Sequence, residues 1–496
     1  MAGAEMAAEK TLAELGLTAR GGLEARITGI SLDSRAVKRG HLFAALAGSR
    51  IHGAEFIPYA LRMGASAVLT DAPGAAAMAD VLEGVPLVVA EDPRQALAFA
   101  AALWFEAQPE VVVAVTGTNG KTSVASFLRQ LWTGLGHGAV NIGTTGIEGA
   151  VTRPGSLTTP DTVTLHRVLA EMVREHVSHV AMEASSHGLD QRRLDAVRLA
   201  AAGFTNLTQD HLDYHGTFDA YFAAKAGLFA RVLPEEGVAV INLDDPRGAD
   251  MAAIAHARGQ RIIGVGWAEG ADLRLEAQRA YAVDQVVRFT YGGVSRQVRL
   301  ALIGAFQAEN VLMAAGLAIA CGAEPDKVFL GLPFLTTVRG RMQHVATRGN
   351  GAPVFVDYAH TPDAVACALA GLRPHVMGRL ICVLGAGGDR DRGKRPLMGH
   401  AAAAHADLVY VTDDNPRGED PAEIRAAILS ACPEAREVPD RAEAILRAVD
   451  ALQAGDALII LGKGHETGQI VGDVVYPFDD AEQASIAVAA LDGPDR

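Results

Sequence analysis

Thr116-Gly-Thr-Asn-Gly-Lys-Thr-Ser123 follows the apolar run Val111 to Val115 and precedes a stretch of helical character. In that strand–loop–helix setting, backbone N–H groups and a helix N-terminus cradle phosphate. Gly117 and Gly120 let the backbone turn its N–H groups inward, and Thr118, Asn119 and Ser123 complete the loop. Lys121 is long enough to reach terminal phosphates, and Thr122 offers a hydroxyl to Mg²⁺. The chemistry expected is use of a nucleoside triphosphate. The loop is shorter than a full Walker motif, because Val115 stands where that motif has its first glycine.

Ligands of open α/β sheets gather beyond the carboxyl ends of the strands, so polar residues closing other apolar runs belong to the same reading. Glu183 ends the run His179 to Glu183, where a carboxylate can hold a Mg²⁺ that bridges phosphates. His211 and His215, four residues apart, have a spacing that zinc can use, but no third ligand follows and the cysteines are elsewhere. Surface helix histidines are the reading favoured for that pair.

The elements that must position these groups are legible as alternating strands and helices. Short strand-like pieces at Ala67 to Thr70 and Val85 to Val89 sit among alanine-rich helical stretches. From Val111 onward, apolar strands at Val111 to Val115, His179 to Glu183, Ala202 to Asn206, Val238 to Asn242 and Arg261 to Gly266 alternate with helices, as in a mostly parallel sheet covered on both faces. Residues 272–302 read as a local antiparallel excursion, and a helix from about Ala308 to Ala320 closes the unit. The character changes around Thr336 to Arg341, and strands at Pro353 to Asp357, Leu380 to Leu384, Leu408 to Thr412 and Ala457 to Leu461 follow. The expected class is α/β with three domains, in line with a length of 496 residues. They are a smaller N-terminal α/β domain (1–108), a central phosphate-loop ATPase domain with a mostly parallel sheet (109–337), and a C-terminal Rossmann-like α/β domain (338–496).

A hydrophobic share of 49% with 21% charged residues fits a folded enzyme and not a disordered chain. A net charge of −14 without any basic run argues against nucleic-acid binding. Cys321, Cys367, Cys382 and Cys432 are scattered, as expected of reduced thiols. Met1 to Leu17 carries Glu5, Glu9, Lys10 and Glu14 and lacks a signal-peptide core, and no apolar stretch is long enough to span a bilayer. A cytoplasmic protein without membrane insertion, and a monomer, is the expectation.

Five motifs taken together carry a family resemblance: Gly117 to Ser123, Glu183-Ala-Ser-Ser-His187, Thr205-Asn-Leu-Thr-Gln-Asp-His-Leu-Asp213, Asp357-Tyr-Ala-His-Thr-Pro362 and Gly462-Lys-Gly-His-Glu466. Over nearly the whole chain it resembles the Mur ligases, ATP-dependent amide-forming enzymes of peptidoglycan synthesis. Leu32-Asp-Ser-Arg35, Thr158-Thr-Pro160 and especially Asp414-Asn-Pro-Arg417 resemble the branch that joins meso-diaminopimelate to UDP-N-acetylmuramoyl-L-alanyl-D-glutamate. The resemblance implies that Leu32 and Ser34 contact the uridine end with Ser49, Arg50 and Ile51 nearby, and that Thr158, Thr159, Ser185, Gln191 and Arg193 hold the muramoyl-peptide. It implies that Asn310, Arg341 and Asp357 join the loop in binding ATP, and that Thr122, Glu183, His211 and Lys225 hold Mg²⁺, with carbon dioxide bound as a carbamate on Lys225. Lys121, Glu183, His211 and Lys225 are the implied catalytic set, and Leu157 and Gln307 depart from asparagines common in the family's patterns.

Side-chain physics sharpens the choice of amino acid. Meso-diaminopimelate carries a second carboxylate that lysine lacks, and Arg417, supported by Arg390, offers a planar fork for it. With lysine that guanidinium goes unpaired, which rejects the wrong substrate. Asp414, Asn415 and Pro416 frame Arg417, while Gly462 and Glu466 resemble positions that bind the reacting end. His211, His360 and His465 are all general-base candidates by residue type. A lysine-adding relative, a folylpolyglutamate synthetase-like ligase and a non-catalytic nucleotide-binding scaffold are the rival readings.

Overall fold

In the computed structural model, residues 9–48, 51–155 and 157–493 are described. Near the N-terminus β1 (Lys10–Thr11) and β2 (Arg26–Ile27) pair antiparallel. β3 (Gly29–Ser31), β4 (His41–Ala44), β5 (Ala67–Thr70) and β6 (Leu87–Val89) form a parallel sheet in chain order.

The central sheet has ten strands. They are β7 (Val111–Thr116), β8 (Ala139–Gly143), β9 (Gly146–Gly149), β10 (His179–Glu183), β11 (Ala201–Phe204), β12 (Val238–Asn242), β13 (Arg261–Gly266), β14 (Leu273–Ala280), β15 (Gln285–Tyr291) and β16 (Val294–Leu300), in the order β16-β15-β14-β13-β12-β11-β7-β10-β8-β9. Its middle is parallel and its two margins antiparallel. The reason is visible in β7. Val113 and Val115 face the helices Lys121–Gly134 and Gln307–Ala320, whereas Val112 and Ala114 face the opposite core with the helices Thr162–Arg174 and Phe218–Gly227. A strand buried on both sides needs apolar residues throughout, which is why it reads as an unbroken run. By contrast, the hairpin strands β14 and β15 alternate buried and exposed positions along much of their length.

The C-terminal sheet comprises β17 (Gln343–Thr347), β18 (Pro353–Asp357), β19 (Leu380–Leu384), β20 (Leu408–Val411), β21 (Arg436–Glu437) and β22 (Ala457–Leu461), ordered β17-β18-β22-β19-β20-β21 and parallel except at β17. An outlying hairpin, β23 (Gly468–Val471) with β24 (Val474–Pro477), follows. The α/β class with mostly parallel sheets agrees with the expectation. Several strand ends differ by one or two residues, and one differs for a physical reason: the strand expected over Ala202 to Asn206 ends at Phe204. Thr205 and Asn206 leave the ladder to serve the phosphate loop, with Thr205 Oγ1 donating to Asn119 O (2.6 Å) and Asn119 N donating to Asn206 Oδ1 (2.9 Å). The strands β8 and β9 and the final hairpin carry no long apolar run and were not foreseen.

Candidate active site

The phosphate loop bridges β7 and the helix Lys121–Gly134 at the carboxyl end of the central sheet. Its two glycines are required: both have positive φ, a Cβ on Gly117 would fall 1.9 Å from Thr205 Oγ1, and one on Gly120 would fall 2.5 Å from Asn310 Oδ1. Lys121 Nζ folds back to donate to Gly117 O (2.9 Å) and Thr118 O (2.8 Å). Burial holds its pKa below the usual lysine value, against the opposing pull of Glu183 and Asp210. Beneath the loop Lys225 is almost fully buried, donates to Gly117 O (2.7 Å) and lies 4.5 Å from the Tyr221 ring centroid. Burial, reinforced by Lys121, pushes its pKa well below the ordinary lysine range. Tyr221 itself is hydrogen-bonded to Thr118 (3.1 Å), tying the Lys225 helix to the loop.

Glu183 is buried at the end of β10, where it accepts from Thr144 N (2.8 Å). Thr144 and Thr158 hydroxyls share a hydrogen bond (3.0 Å), and Thr159 Oγ1 donates to Glu183 O (2.8 Å) while accepting from Ser185 N (3.0 Å). Arg193 donates to Thr159 O (2.7 Å) and to Gln191 Oε1 (2.8 Å). One hydrogen-bonded row thus runs from Glu183 through Thr158, Thr159 and Ser185 to Gln191 and Arg193. Leu157 is half exposed beside it.

His211 has a left-handed backbone (φ 53°) at the start of a four-residue helix, and its ring meets His187 (centroids 4.8 Å apart) and Tyr221 (6.2 Å). Partial desolvation by the rings packed on it pulls its pKa down to about 4, against Asp210, although nearly half of the side chain stays exposed. His215 packs on Tyr221 (5.3 Å) and His187 (5.6 Å), and its Nε2 is buried without a hydrogen-bond partner. The surface-helix reading of this pair holds in part: His211 is exposed and His215 half-buried at the two ends of the short helix, while both rings also join His187 and Tyr221 in an aromatic cluster beside the phosphate loop that local spacing does not show.

The C-terminal domain supplies the opposite wall. Arg341 Nη2 donates to Thr122 Oγ1 (3.3 Å) and its guanidinium lies 4.5 Å from the Tyr358 ring centroid. Asp357 accepts from Met342 N (2.7 Å) and Ala359 N (2.8 Å), with burial raising its pKa against Arg341. Asn119 Nδ2 donates to Asp363 Oδ2 (3.2 Å). Between the walls lies a cavity of about 640 Å³ lined by Thr118 to Ser123, Thr158, Glu183, Ser185, His211, Asn310, Arg341 and Asp357. Asn310 is oriented by Gln307, whose Oε1 accepts from Asn310 Nδ2 (3.1 Å), so the departure at 307 keeps a polar partner for it.

Other expected residues lie away from this cavity's lining. Asn415 Nδ2 donates to Glu466 Oε2 (2.8 Å), and Arg417 Nη1 donates to Gly388 O (2.9 Å). Burial raises the pKa of Glu466, with Asp414 adding to it. Pro416 and Asp414 complete that loop, and a Cβ on Gly462 (φ 113°) would lie 2.5 Å from Asp414 Oδ2. Arg390 is exposed beside Asp389. In the N-terminal domain Ser34 is buried, Leu32 half-buried and Ile51 exposed; Ser49 and Arg50 lie outside the described residues.

Three residues at these sites were missed from sequence. Asp210 lines the cavity next to His211, Thr144 holds Glu183, and Lys463 is fully buried between Asp414 and Glu466 (3.5 and 3.8 Å). Asp210 and Lys463 sat inside quoted motifs, so motif membership was the available signal.

The residues present suit a bound polyanion with Mg²⁺. The two lysines direct their ammonium groups to loop carbonyls, and the loop cannot accommodate a Cβ at either glycine. Among the described residues no three His, Cys, Asp or Glu side chains cluster tightly enough to hold a metal alone. Mg²⁺ does not require such a cage when phosphate oxygens and water complete its shell.

The chain matches the Mur ligase middle domain over residues 115–318, the Mur ligase glutamate ligase domain over 340–464 and the Mur ligase family catalytic domain over 26–104. It is 51% identical over 469 residues to the UDP-N-acetylmuramoyl-L-alanyl-D-glutamate--2,6-diaminopimelate ligase of Bradyrhizobium diazoefficiens, covering 94% of this chain and 95% of that relative. The enzyme of the same name from Caulobacter vibrioides is 50% identical over 475 residues, covering 94% and 96%. A solved structure bearing that name superimposes with a TM-score of 0.68 at 34% identity, covering 94% of this chain and 95% of the other.

Proposed function

The chain belongs to the Mur ligase family, and from that premise we propose that it joins meso-diaminopimelate to UDP-N-acetylmuramoyl-L-alanyl-D-glutamate at the expense of ATP. The observation that carries this reading is the phosphate loop on one wall of a cavity whose other wall is the C-terminal domain, with Lys121 in the lining and Lys225 bonded to Gly117 O beneath the loop. Residues 1–108, 109–337 and 338–496 are then the UDP-substrate, ATP and amino-acid domains.

A carboxylate is a poor electrophile, so the D-glutamyl side-chain carboxylate first attacks the terminal phosphorus of ATP, giving an acyl phosphate and ADP. Loop N–H groups and Lys121 stabilise the transferring phosphoryl group. Arg341, held over Tyr358, brings a second cation to the same place from the C-terminal domain. Thr122 and Glu183 would hold Mg²⁺, with His211 and carbamylated Lys225 supporting a second ion, and the metal would supply screening of the charge between the two anions. The carbamate forms when the Lys225 amine adds to carbon dioxide with loss of a proton, and a buried lysine with a depressed pKa offers the neutral amine this needs. The row from Thr158 to Arg193 holds the muramoyl-peptide. The neutral amine of diaminopimelate then attacks the acyl carbon and the tetrahedral intermediate expels phosphate, while the two-domain wall keeps water from the acyl phosphate. Arg417, with Arg390, grips the far carboxylate, and Glu466 pairs with an amino group of the same substrate.

Among the described residues no helix is long and apolar enough to cross a membrane, and we place the reaction in the cytoplasm, in a monomer. The test is phosphate release from ATP in the presence of the UDP-muramoyl-dipeptide with meso-diaminopimelate, lysine or glutamate added separately. Release that needs the dipeptide and is fastest with meso-diaminopimelate supports the reading; release indifferent to either defeats it.

A further inference from the structure

Lys463 sits between the two segments that carry the amino-acid contacts. Its side chain is fully buried, and Nζ donates to Asn415 Oδ1 (2.8 Å) and Gly468 O (2.8 Å), with Asp414 and Glu466 carboxylates at 3.5 and 3.8 Å. A buried ammonium is tolerated when its donors and its charge are both answered, and this one is answered by those two segments and by the first residue of β23.

The strand β23 that Lys463 anchors closes on the same loop. Ile470 N donates to Asn415 Oδ1 (2.9 Å), Gln469 Nε2 to Asp414 O (2.7 Å), Arg417 N to Ile470 O (3.0 Å), and Gly472 N to Arg417 O (2.8 Å). Arg417 is held there in a left-handed conformation, φ 52°, which a non-glycine residue keeps only when its surroundings impose it. Burial does not seat the hairpin, since Val474, Val475 and Tyr476 are each more than half exposed. Polar contacts to the 414–417 loop do.

We propose that Lys463, together with the β23 strand it anchors, is the positioning element for amino-acid selection, setting the spacing between the Arg417 guanidinium and the Glu466 carboxylate. This rests on the assignment of both groups to the binding of diaminopimelate. Without the ammonium, the Asp414 and Glu466 carboxylates repel each other and Asn415 loses a partner, so the two grips drift apart. Lys463 itself need not touch the substrate.

The test uses full-length Lys463→Met and Gln469→Leu, with Arg417→Ala alongside, in steady-state assays varying meso-diaminopimelate, lysine and ATP. For Lys463→Met the expected result is a KM for meso-diaminopimelate raised about tenfold or more, kcat and the KM for ATP within about twofold, and a narrower preference over lysine. Gln469→Leu shifts the same constant in the same direction by about threefold. An unchanged diaminopimelate KM in Lys463→Met, or equal losses for ATP and amino acid, overturns the proposal; if that variant does not fold, an unchanged KM in Gln469→Leu does so. Should Arg417→Ala also leave diaminopimelate kinetics untouched, the amino-acid site itself is misassigned; a defect in Arg417→Ala alone removes only the positioning role.

Discussion

The phosphate-loop end of the central sheet and the 414–417 loop of the C-terminal domain both bury lysines, and they do so in opposite ways. Lys121 and Lys225 both direct their ammonium groups to backbone carbonyls of the loop, and Lys121 helps to lower the Lys225 pKa. Lys463 is answered by two carboxylates, a side-chain amide and a carbonyl. In the first region the ammonium groups are bonded by backbone carbonyls and not by carboxylates, so Lys121 remains available to a polyanion while Glu183 and Asp210 in the same lining suit a cation. The second is already neutralised, so it works as a rigid frame whose selectivity comes from where Arg417 and Glu466 are held. Binding energy is concentrated in one region and geometry in the other.

Removing a cation from the first region should have the largest effect. Lys121→Met is expected to lower dipeptide-dependent phosphate release about a thousandfold, and a variant retaining a tenth of the activity would erase the contrast. In the second region, Arg417→Ala is expected to cut kcat/KM for meso-diaminopimelate about a hundredfold, two charge-assisted hydrogen bonds being lost, while ATP binding measured by calorimetry stays unchanged. A smaller effect concerns pH. Because burial raises the Glu466 pKa, its carboxylate protonates at a higher pH than an ordinary glutamate as the medium is acidified. The KM for diaminopimelate should accordingly climb on the acid side, and Glu466→Gln should flatten that climb; identical profiles would mean that the carboxylate does not meet the amine.

The smallest prediction lies outside both regions and calibrates them. His166 is buried, donates Nε2–H to Asp195 O (3.2 Å), and has a pKa lowered by burial to about 4. The unfolded value is about 6.5, so the unfolded chain takes the proton first as pH falls. Its stabilising contribution is complete above pH about 6.5 and is lost progressively toward pH about 4, amounting to about 1 kcal/mol by pH 5.5. Urea midpoints at neutral pH and about pH 5.5 should converge less in the native chain than in His166→Gln.

Local features were the legible ones. The phosphate loop could be read because its eight residues are contiguous and its glycines answer a backbone demand that any such loop makes. Glu183 followed from its place at a strand end, and β7, β10 and β12 from apolar runs that burial on both faces imposes. Lys225, Arg341 and Asp357 look like an ordinary helix, loop and strand-end residue in isolation; only the resemblance of whole motifs placed them near ATP. The aromatic cluster of His187, His211, His215 and Tyr221, and the hairpin that grips Arg417, were beyond local patterns altogether.

From residue order alone come the α/β class and the triphosphate chemistry, because each depends on residue types within a few positions or on a periodicity; the second carboxylate met by Arg417 came from the family resemblance, since an arginine after Pro416 otherwise reads as a solvated turn residue. Tertiary structure decided which distant groups share a low-dielectric space: Lys225 under the loop, Arg341 against Thr122 across 219 positions, Lys463 between two loops. Whether a buried charge is left open to a ligand or neutralised by its neighbours depends on packing between segments far apart in the chain, and no local pattern encodes that distance.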